Sequence, residues 1–480
     1  MFQCNSVKKN LWTNVSLFLT TFLIPFYIFR FKVFGIPTNV FEIGVLLLLI
    51  TTIAQYSRYK IQDTNKFQIQ NINNQICKLN IGNWGLSVSC FLFLVSCFLG
   101  VWRAGWSTES LGIFKSWVVV PMVFGGVICY WQEKGRREKE KAHNNTFNQP
   151  LLPLAFNLSP IFLGLYTSML VVSVWAILQK IGLISTLFYQ ATDTSFAQYL
   201  GNGFRAFGPF ESPNYLAMFI VPTALLAVGT NLKFKISNSK FWKGAFYLSL
   251  VLPLLALYFS QSRAGWIAMV GAISVIGVIW LYRRLKSSTW QILLLISALI
   301  LYSVFYILLF KYGLRGTDTI RLQIYQYSWQ MLKENWLFGL GAGNFQQTLA
   351  QMPLSDSFRQ NALSYAYHPH NLYLALWLNF GILGLVSFIG LVAVFFRKVL
   401  TRPGNLWLLA AMAAILIHGI LDTTFFKNDL AVIFWLIISF AYATENNQDT
   451  ITPTSLAESA SYHPSRKATG RHSEGAGNNQ

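Results

Sequence analysis

Apolar runs separated by polar intervals recur along the chain, near 13–29, 37–56, 82–102, 112–131, 158–178, 213–230, 244–259, 264–282, 289–310, 372–396, 405–421 and 430–443. Stretches such as 151–179, 288–310 and 403–421 contain no Asp, Glu, Lys or Arg. At 1.5 Å per helical residue, each can cross roughly 30 Å of hydrocarbon. Inside lipid a backbone satisfies itself only as a helix or a closed barrel, and these runs lack the alternation of barrel strands. The pattern predicts an all-α fold: a polytopic membrane protein of about twelve transmembrane helices, filling residues 1–443.

One polar interval is much longer than the others. Residues 311–371 carry Arg315, Arg321 and Arg359 and close on His368-Pro369-His370-Asn371, so a single large extracytoplasmic loop is expected there. Residues 444–480, rich in Ser, Asn, Gly and Thr, read as a disordered cytoplasmic tail.

Charge sets the orientation. Lys and Arg number 37 against 17 Asp and Glu, a net charge of +20, although only 11% of residues are charged. The basic residues gather at alternate intervals: Arg58, Lys60, Lys66 and Lys78; Lys134, Arg136 and Arg137; Lys233, Lys235 and Lys240; Arg283 and Arg284; Arg397, Lys398 and Arg402. Cytoplasmic loops retain such residues, which puts both termini inside and 180–212, 260–263, 311–371 and 422–429 outside. The excess positive charge is then topogenic and suited to anionic membrane lipids, with no nucleic-acid partner expected. Cys4, Cys77, Cys90, Cys97 and Cys129 form no CxxC pair, so neither a disulfide framework nor a zinc site is implied. Lys8 and Lys9 precede the first apolar run without a small-residue cleavage pattern, and the first span is expected to stay attached.

Four outer segments carry candidate chemistry. In FRAFGPFESPN, 204–214, Pro213 suits the first helical position and Ser212 its cap. Arg205 beside that helix start is either an interfacial arginine or an anion contact favoured by the helix dipole. SQSRAGW, 260–266, is a short turn that leaves Arg263 at the outer interface, snorkelling or functional. Guanidinium groups on separate elements, Arg205, Arg263 and Arg321, suit a diphosphate through bidentate, charge-assisted bonds.

The stretch 319–345 reads as an amphipathic helix with Ile320, Ile324, Met331 and Trp336 able to rest on the membrane or the bundle, followed by a turn with Gly339, Gly341 and Gly343. These glycines follow a helix and lie in no βαβ unit, so a nucleotide loop is not implied. HPHNLYLALW, 368–377, places His370 and Asn371 at the outer mouth of a span, where imidazole is matched to proton transfer near neutral pH. His368 with His370 could bind a metal, yet no further ligand with suitable spacing accompanies them.

Arginine plus Pro-Asn before a mid-chain span, SxSRxGW, the arginine-to-GxGxGNF segment, and HNxYL followed by GxLGL occur here in one order over roughly residues 200–400. In that order the chain resembles the O-antigen ligase and O-antigen polymerase-like superfamily of bacterial membrane glycosyltransferases. The resemblance implies a twelve-span inner-membrane bundle with a periplasmic active site, an undecaprenyl diphosphate-linked glycan donor, and metal- and cofactor-independent transfer with inversion to an acceptor hydroxyl on a lipid or glycan. Arg205 and Arg263 look like the arginines that hold the diphosphate, and His370 like the residue that activates the acceptor. Arg321, Asn371, Asn214 and Glu211 are candidate substrate contacts, Glu211 also being an alternative base.

One stretch points elsewhere. HGILDTTFFKNDLAVIFW, 418–435, puts His418 in a span and Asp422 and Lys427 at its outer end. It is similar to cyanobacterial family members proposed as bicarbonate transporters, in which these residues and the arginines would line an anion path. No inverted repeat and no pair of broken helices supports such a path.

Overall fold

The computed structural model describes residues 2–33, 36–64, 84–145, 159–184, 204–233, 240–311, 316–401 and 406–443. Arg315, several of the basic intervals and the tail 444–480 lie outside the described residues.

The fold is helical, as the apolar runs require. The helices in chain order are α1 (Phe2–Phe22), α2 (Val40–Thr64), α3 (Trp84–Arg103), α4 (Thr108–Ile113), α5 (Val120–Asn145), α6 (Ser159–Lys180), α7 (Pro213–Lys233) and α8 (Lys240–Ser260). They continue with α9 (Arg263–Arg284), α10 (Ser288–Lys311), α11 (Gly316–Asn335), α12 (Phe345–Gln351), α13 (Asp356–Asn361), α14 (Leu372–Leu400), α15 (Leu406–His418) and α16 (Asn428–Ala443). Among the described residues, six helical stretches are long and apolar enough to cross a membrane by length and composition: Val40–Ser57, Gly85–Arg103, Thr108–Gln132, Pro160–Lys180, Arg263–Arg284 and Leu372–Leu400. Shorter apolar helices run over Pro213–Gly229, Leu250–Ser260, Ser288–Val304, Leu406–His418 and Asn428–Tyr442.

Local departures from the hydropathy pattern have local causes. The first apolar run does not continue to residue 29: α1 ends at Phe22, a 3-10 turn with Pro25 follows, and the chain forms the antiparallel pair β1 (Arg30–Val33) and β2 (Ile36–Asn39). This hairpin was invisible to a reading based on long apolar windows. A π-helical turn, Phe114–Val119, joins α4 to α5.

In hydrocarbon, helices associate by close packing more than by expelling water, so small residues decide where they touch. α14 lies along α3, α15 against α9 and α7, and α16 against α5. At the α3–α14 contact a Cβ on Gly100 would stand 2.5 Å from the Asn379 carbonyl oxygen, so only glycine allows that approach. α14 is itself broken at Gly381, where φ is 70° and ψ −176°. The freed backbone is satisfied from outside the helix, with Ile382 N–H donating to Leu337 O and Leu340 N–H donating to Leu378 O. A Cβ at Gly381 would meet Leu337 O at 2.2 Å. The polar interval after α10 thus folds as helices α11 to α13, with its own cluster around Ile324, Met331, Phe345 and Phe358 that packs on Leu378 of α14. Ile320 is partly buried there, whereas Trp336 remains exposed.

Candidate functional site

The starts of α7, α9, α11, α14 and α16 meet at one end of the bundle, and local chemistry explains three of them. α7 begins at Pro213, with Ser212 Oγ accepting from Asn214 N–H at 3.2 Å. α9 begins at Arg263, capped by Ser262, whose Oγ accepts from Gly265 N–H at 3.2 Å. α14 is capped by Asn371, whose side-chain oxygen accepts from Tyr373 and Leu374 N–H at 3.0 Å each. Helix N-termini carry partial positive charge, so this end of the bundle favours anions before any side chain is counted.

Asp422, on the segment between α15 and α16, joins these starts. Its side chain is 4% exposed. One carboxylate oxygen accepts from Thr423 N–H at 2.9 Å and faces His370 Nδ1 at 3.1 Å. The other accepts from Asn214 Nδ2 at 3.2 Å and lies 3.6 Å from the Arg321 guanidinium. Burial by itself would raise the Asp422 pKa, but His370 and Arg321 more than offset it and hold the carboxyl well below the ordinary 3.8. Asp422 is therefore a carboxylate at neutral pH.

That carboxylate orients His370. With Nδ1–H donated to Asp422, neutral imidazole keeps the Nε2 lone pair to receive a proton. His370 adopts φ 48°, a left-handed conformation unusual for a side-chain-bearing residue and found where surrounding contacts over-determine the backbone. Those contacts are identifiable: Tyr325 OH donates to His370 O at 2.8 Å, and Asn371 Nδ2 donates to Ile420 O at 2.9 Å. Asn371 thus spends its amide on capping α14 and pinning the neighbouring segment.

His368 sits behind His370, the ring centroids 4.3 Å apart. Its Nδ1 accepts from His370 N–H at 3.3 Å, which leaves Nε2–H to donate to Tyr215 OH at 3.1 Å. Burial, with the neighbouring His370, pushes the His368 pKa down to about 3, consistent with that neutral tautomer.

The arginines surround the same point. Arg205 donates through Nε to Ser260 O at 2.9 Å and through its terminal nitrogen to Asn214 Oδ1 at 3.4 Å. Asn214 Oδ1 also accepts from Ser262 Oγ at 3.0 Å. Arg263 and Arg321 share Asp318, at 3.6 and 3.9 Å. Arg205, Arg263, Arg321, Asn214 and His370 are accordingly brought into one network. Glu211 is placed in another, its oxygens on Lys427 at 2.5 Å and Arg30 at 3.3 Å; Lys427 also donates to Tyr27 OH at 3.0 Å.

Ligand atoms of His368, His370 and Asp422 lie within 4.8 Å of one another, a spacing that a metal ion could use. His370 Nδ1, both His368 nitrogens and both Asp422 oxygens are engaged in the hydrogen bonds just described, and Arg321 already sets a positive charge against Asp422. Sequence reasoning missed Asp422 as the partner of His370, and missed Asp318, Tyr215 and Tyr325 altogether. The usable signal for Asp422 was an ionisable residue at the end of a span, functional by default, but it suggested an anion path.

The family model described as O-antigen ligase matches residues 248–389. No curated protein matches the chain. The matched stretch contains Arg263, Arg321, His370 and Asn371, whereas Arg205, Asn214 and Asp422 lie outside it. The match supports an O-antigen ligase-like family with a glycan-transfer role in cell-surface polysaccharide assembly. With the apolar helices it supports a multi-pass bacterial inner-membrane protein.

Proposed function

We propose that this protein transfers a glycan from an undecaprenyl diphosphate-linked donor to an acceptor hydroxyl at the periplasmic membrane face, as a metal-independent, inverting, ligase-like enzyme. The observation that carries this reading is the His370–Asp422 pair, joined through Asn214 to the arginine cluster. An activated diphosphate leaving group needs neutralisation of growing charge, a positioned acceptor and a home for one proton. Arg205, Arg263 and Arg321 supply the first. The acceptor oxygen bonds to the anomeric carbon as that carbon's bond to the diphosphate breaks, the acceptor proton passes to His370 Nε2, and undecaprenyl diphosphate departs with the electron pair. Asp422 stabilises the imidazolium so formed.

The donor diphosphate would draw Arg263 and Arg321 from Asp318, because two phosphoryl groups offer more charge than one carboxylate. Glu211 braces Lys427 in this reading and leaves proton transfer to His370. This reading counts α1, the six long stretches and the five shorter apolar helices as its twelve spans and takes both termini as cytoplasmic. A ligase and a polymerase share this donor and differ in acceptor. An anion path would also use Asp422, but its bonds to His370 and Asn214 favour transfer chemistry.

The test is a deletion strain complemented with wild type or His370→Ala, scored for surface-glycan length and for lipid-linked glycan. Donor that accumulates and is cleared only by wild type is expected. An unaltered glycan profile would remove the reading, and an anion-uptake defect in its place would move the assignment to transport.

A further inference from the structure

A second feature lies against the same histidines. A cavity of about 630 Å³ is bounded by the α4 to π-turn segment, by helices α12 and α13 of the polar interval, by His368 and Pro369, and by the first half of α14. None of Arg205, Arg263 or Arg321 lines it. We propose that this cavity receives the saccharide end of the acceptor, an inference that rests on the transferase reading and says where the second substrate sits.

Size, chemistry and position argue for it. The volume falls within the roughly 300–1,000 Å³ of small-molecule sites. Trp117 and Tyr367 offer aromatic faces, and Gln346 and Gln347 offer amides that both donate and accept; a sugar ring likewise pairs apolar C–H faces with hydroxyls. The charged groups do not suit a diphosphate. Glu109 brings negative charge, and Arg359 is turned to the Ala350 and Met352 carbonyl oxygens, both at 3.4 Å. The donor headgroup therefore belongs with the arginine cluster, which leaves the cavity for the substrate that carries no phosphate at its reacting end.

The walls are held in place. Trp117 Nε1 donates to Asn428 Oδ1 at 2.9 Å, and the backbone N–H of Gly343 donates to Asn379 Oδ1 at 2.9 Å. Position completes the argument, since His368 lines the cavity and its ring contacts that of His370.

The probe is a photoreactive side chain. Tyr367 is 67% exposed, so Tyr367→p-benzoylphenylalanine keeps an aromatic ring at a tolerant position. It is introduced into the full chain in the native cell, and the irradiated adduct is identified by mass spectrometry. An adduct with saccharide that lacks undecaprenyl diphosphate is expected. The variant Gln347→Trp, which narrows the cavity from an exposed position, is expected to lower glycan transfer by about tenfold or more at unchanged protein level, with lipid-linked donor accumulating. An adduct with undecaprenyl diphosphate-linked glycan, or with another protein, overturns the cavity assignment while the transferase reading stands. So does the absence of any adduct combined with unchanged transfer by Gln347→Trp. A deletion strain with unaltered surface glycan overturns both.

Discussion

Two buried charges lie five positions apart and do different work. Asp422 is an acid beside arginines: Arg321 and the His370 ring touch it, Arg205 reaches it through Asn214, and Arg263 joins through Asp318. Lys427 is a cation among balancing groups, between Glu211 and Tyr27 OH, with the Tyr215 ring 3.6 Å below its ammonium. The first network keeps surplus positive charge and a histidine with a lone pair to offer. The second sets Lys427 and Arg30 on one acid, Glu211, holds no histidine, and ties residue 27 to residues 211 and 427. Burial desolvates both, so burial alone does not mark a site. A proton carrier held among the charges does.

The largest expected effect separates the networks by activity. His370→Ala should lower transfer by on the order of 10²–10⁴ with protein level and melting unchanged, measured with lipid-linked donor in membranes. Loss of the protein itself would sink the catalytic assignment. Asp422→Asn should fall in the same range, because it leaves His370 without its carboxylate partner. Retention of most activity would uncouple the pair.

Next comes a test of the second network. Lys427→Met should reduce stability by roughly 1–3 kcal/mol, since Glu211 then loses a charged partner, while turnover per folded molecule changes little. Burial depresses the Lys427 pKa despite the opposing pull of Glu211, so the pair contributes through geometry more than through a strengthened charge. Glu211→Gln combined with Lys427→Met should recover part of the loss. A turnover defect in the stable double variant would place Lys427 in the reaction.

The smallest effect is a pH dependence. His368 titrates near 3 when folded, against an ordinary 6.5, so between these values the unfolded chain binds more protons and stability rises with pH. Acidification from pH 7 to pH 4 should lower the melting temperature by on the order of a few degrees, and His368→Asn should flatten that slope. Asp422 acts in the same sense in a lower pH window: its depressed pKa gives a contribution fully present above the ordinary carboxylate value and lost as pH falls through the lower folded one. A wild-type slope unchanged in His368→Asn would refute the assignment to His368.

Much of the site was legible one segment at a time. Arg263 announced itself beside a serine cap in a short turn, Arg205 beside a Pro-Asn helix start, and His370 before an asparagine cap, because caps and turn residues act within a few positions of the chain. The hairpin at Arg30–Asn39 and the break at Gly381 were not, since a strand pair of this length and a left-handed glycine leave little trace in an apolar window.

By itself, the amino-acid sequence determined that the protein is helical, that its helices are apolar enough for a membrane, and which polar segments separate them. Hydropathy and backbone self-satisfaction are local properties, summed over a span. Only the tertiary structure decided that Asp422 is the partner of His370 across 52 positions and of Asn214 across 208. It alone put Trp117 and Glu109 around one cavity with Gln346. Such contacts depend on which helices pack together, and packing is chosen by shape complementarity among all of them at once, a quantity that no single segment contains.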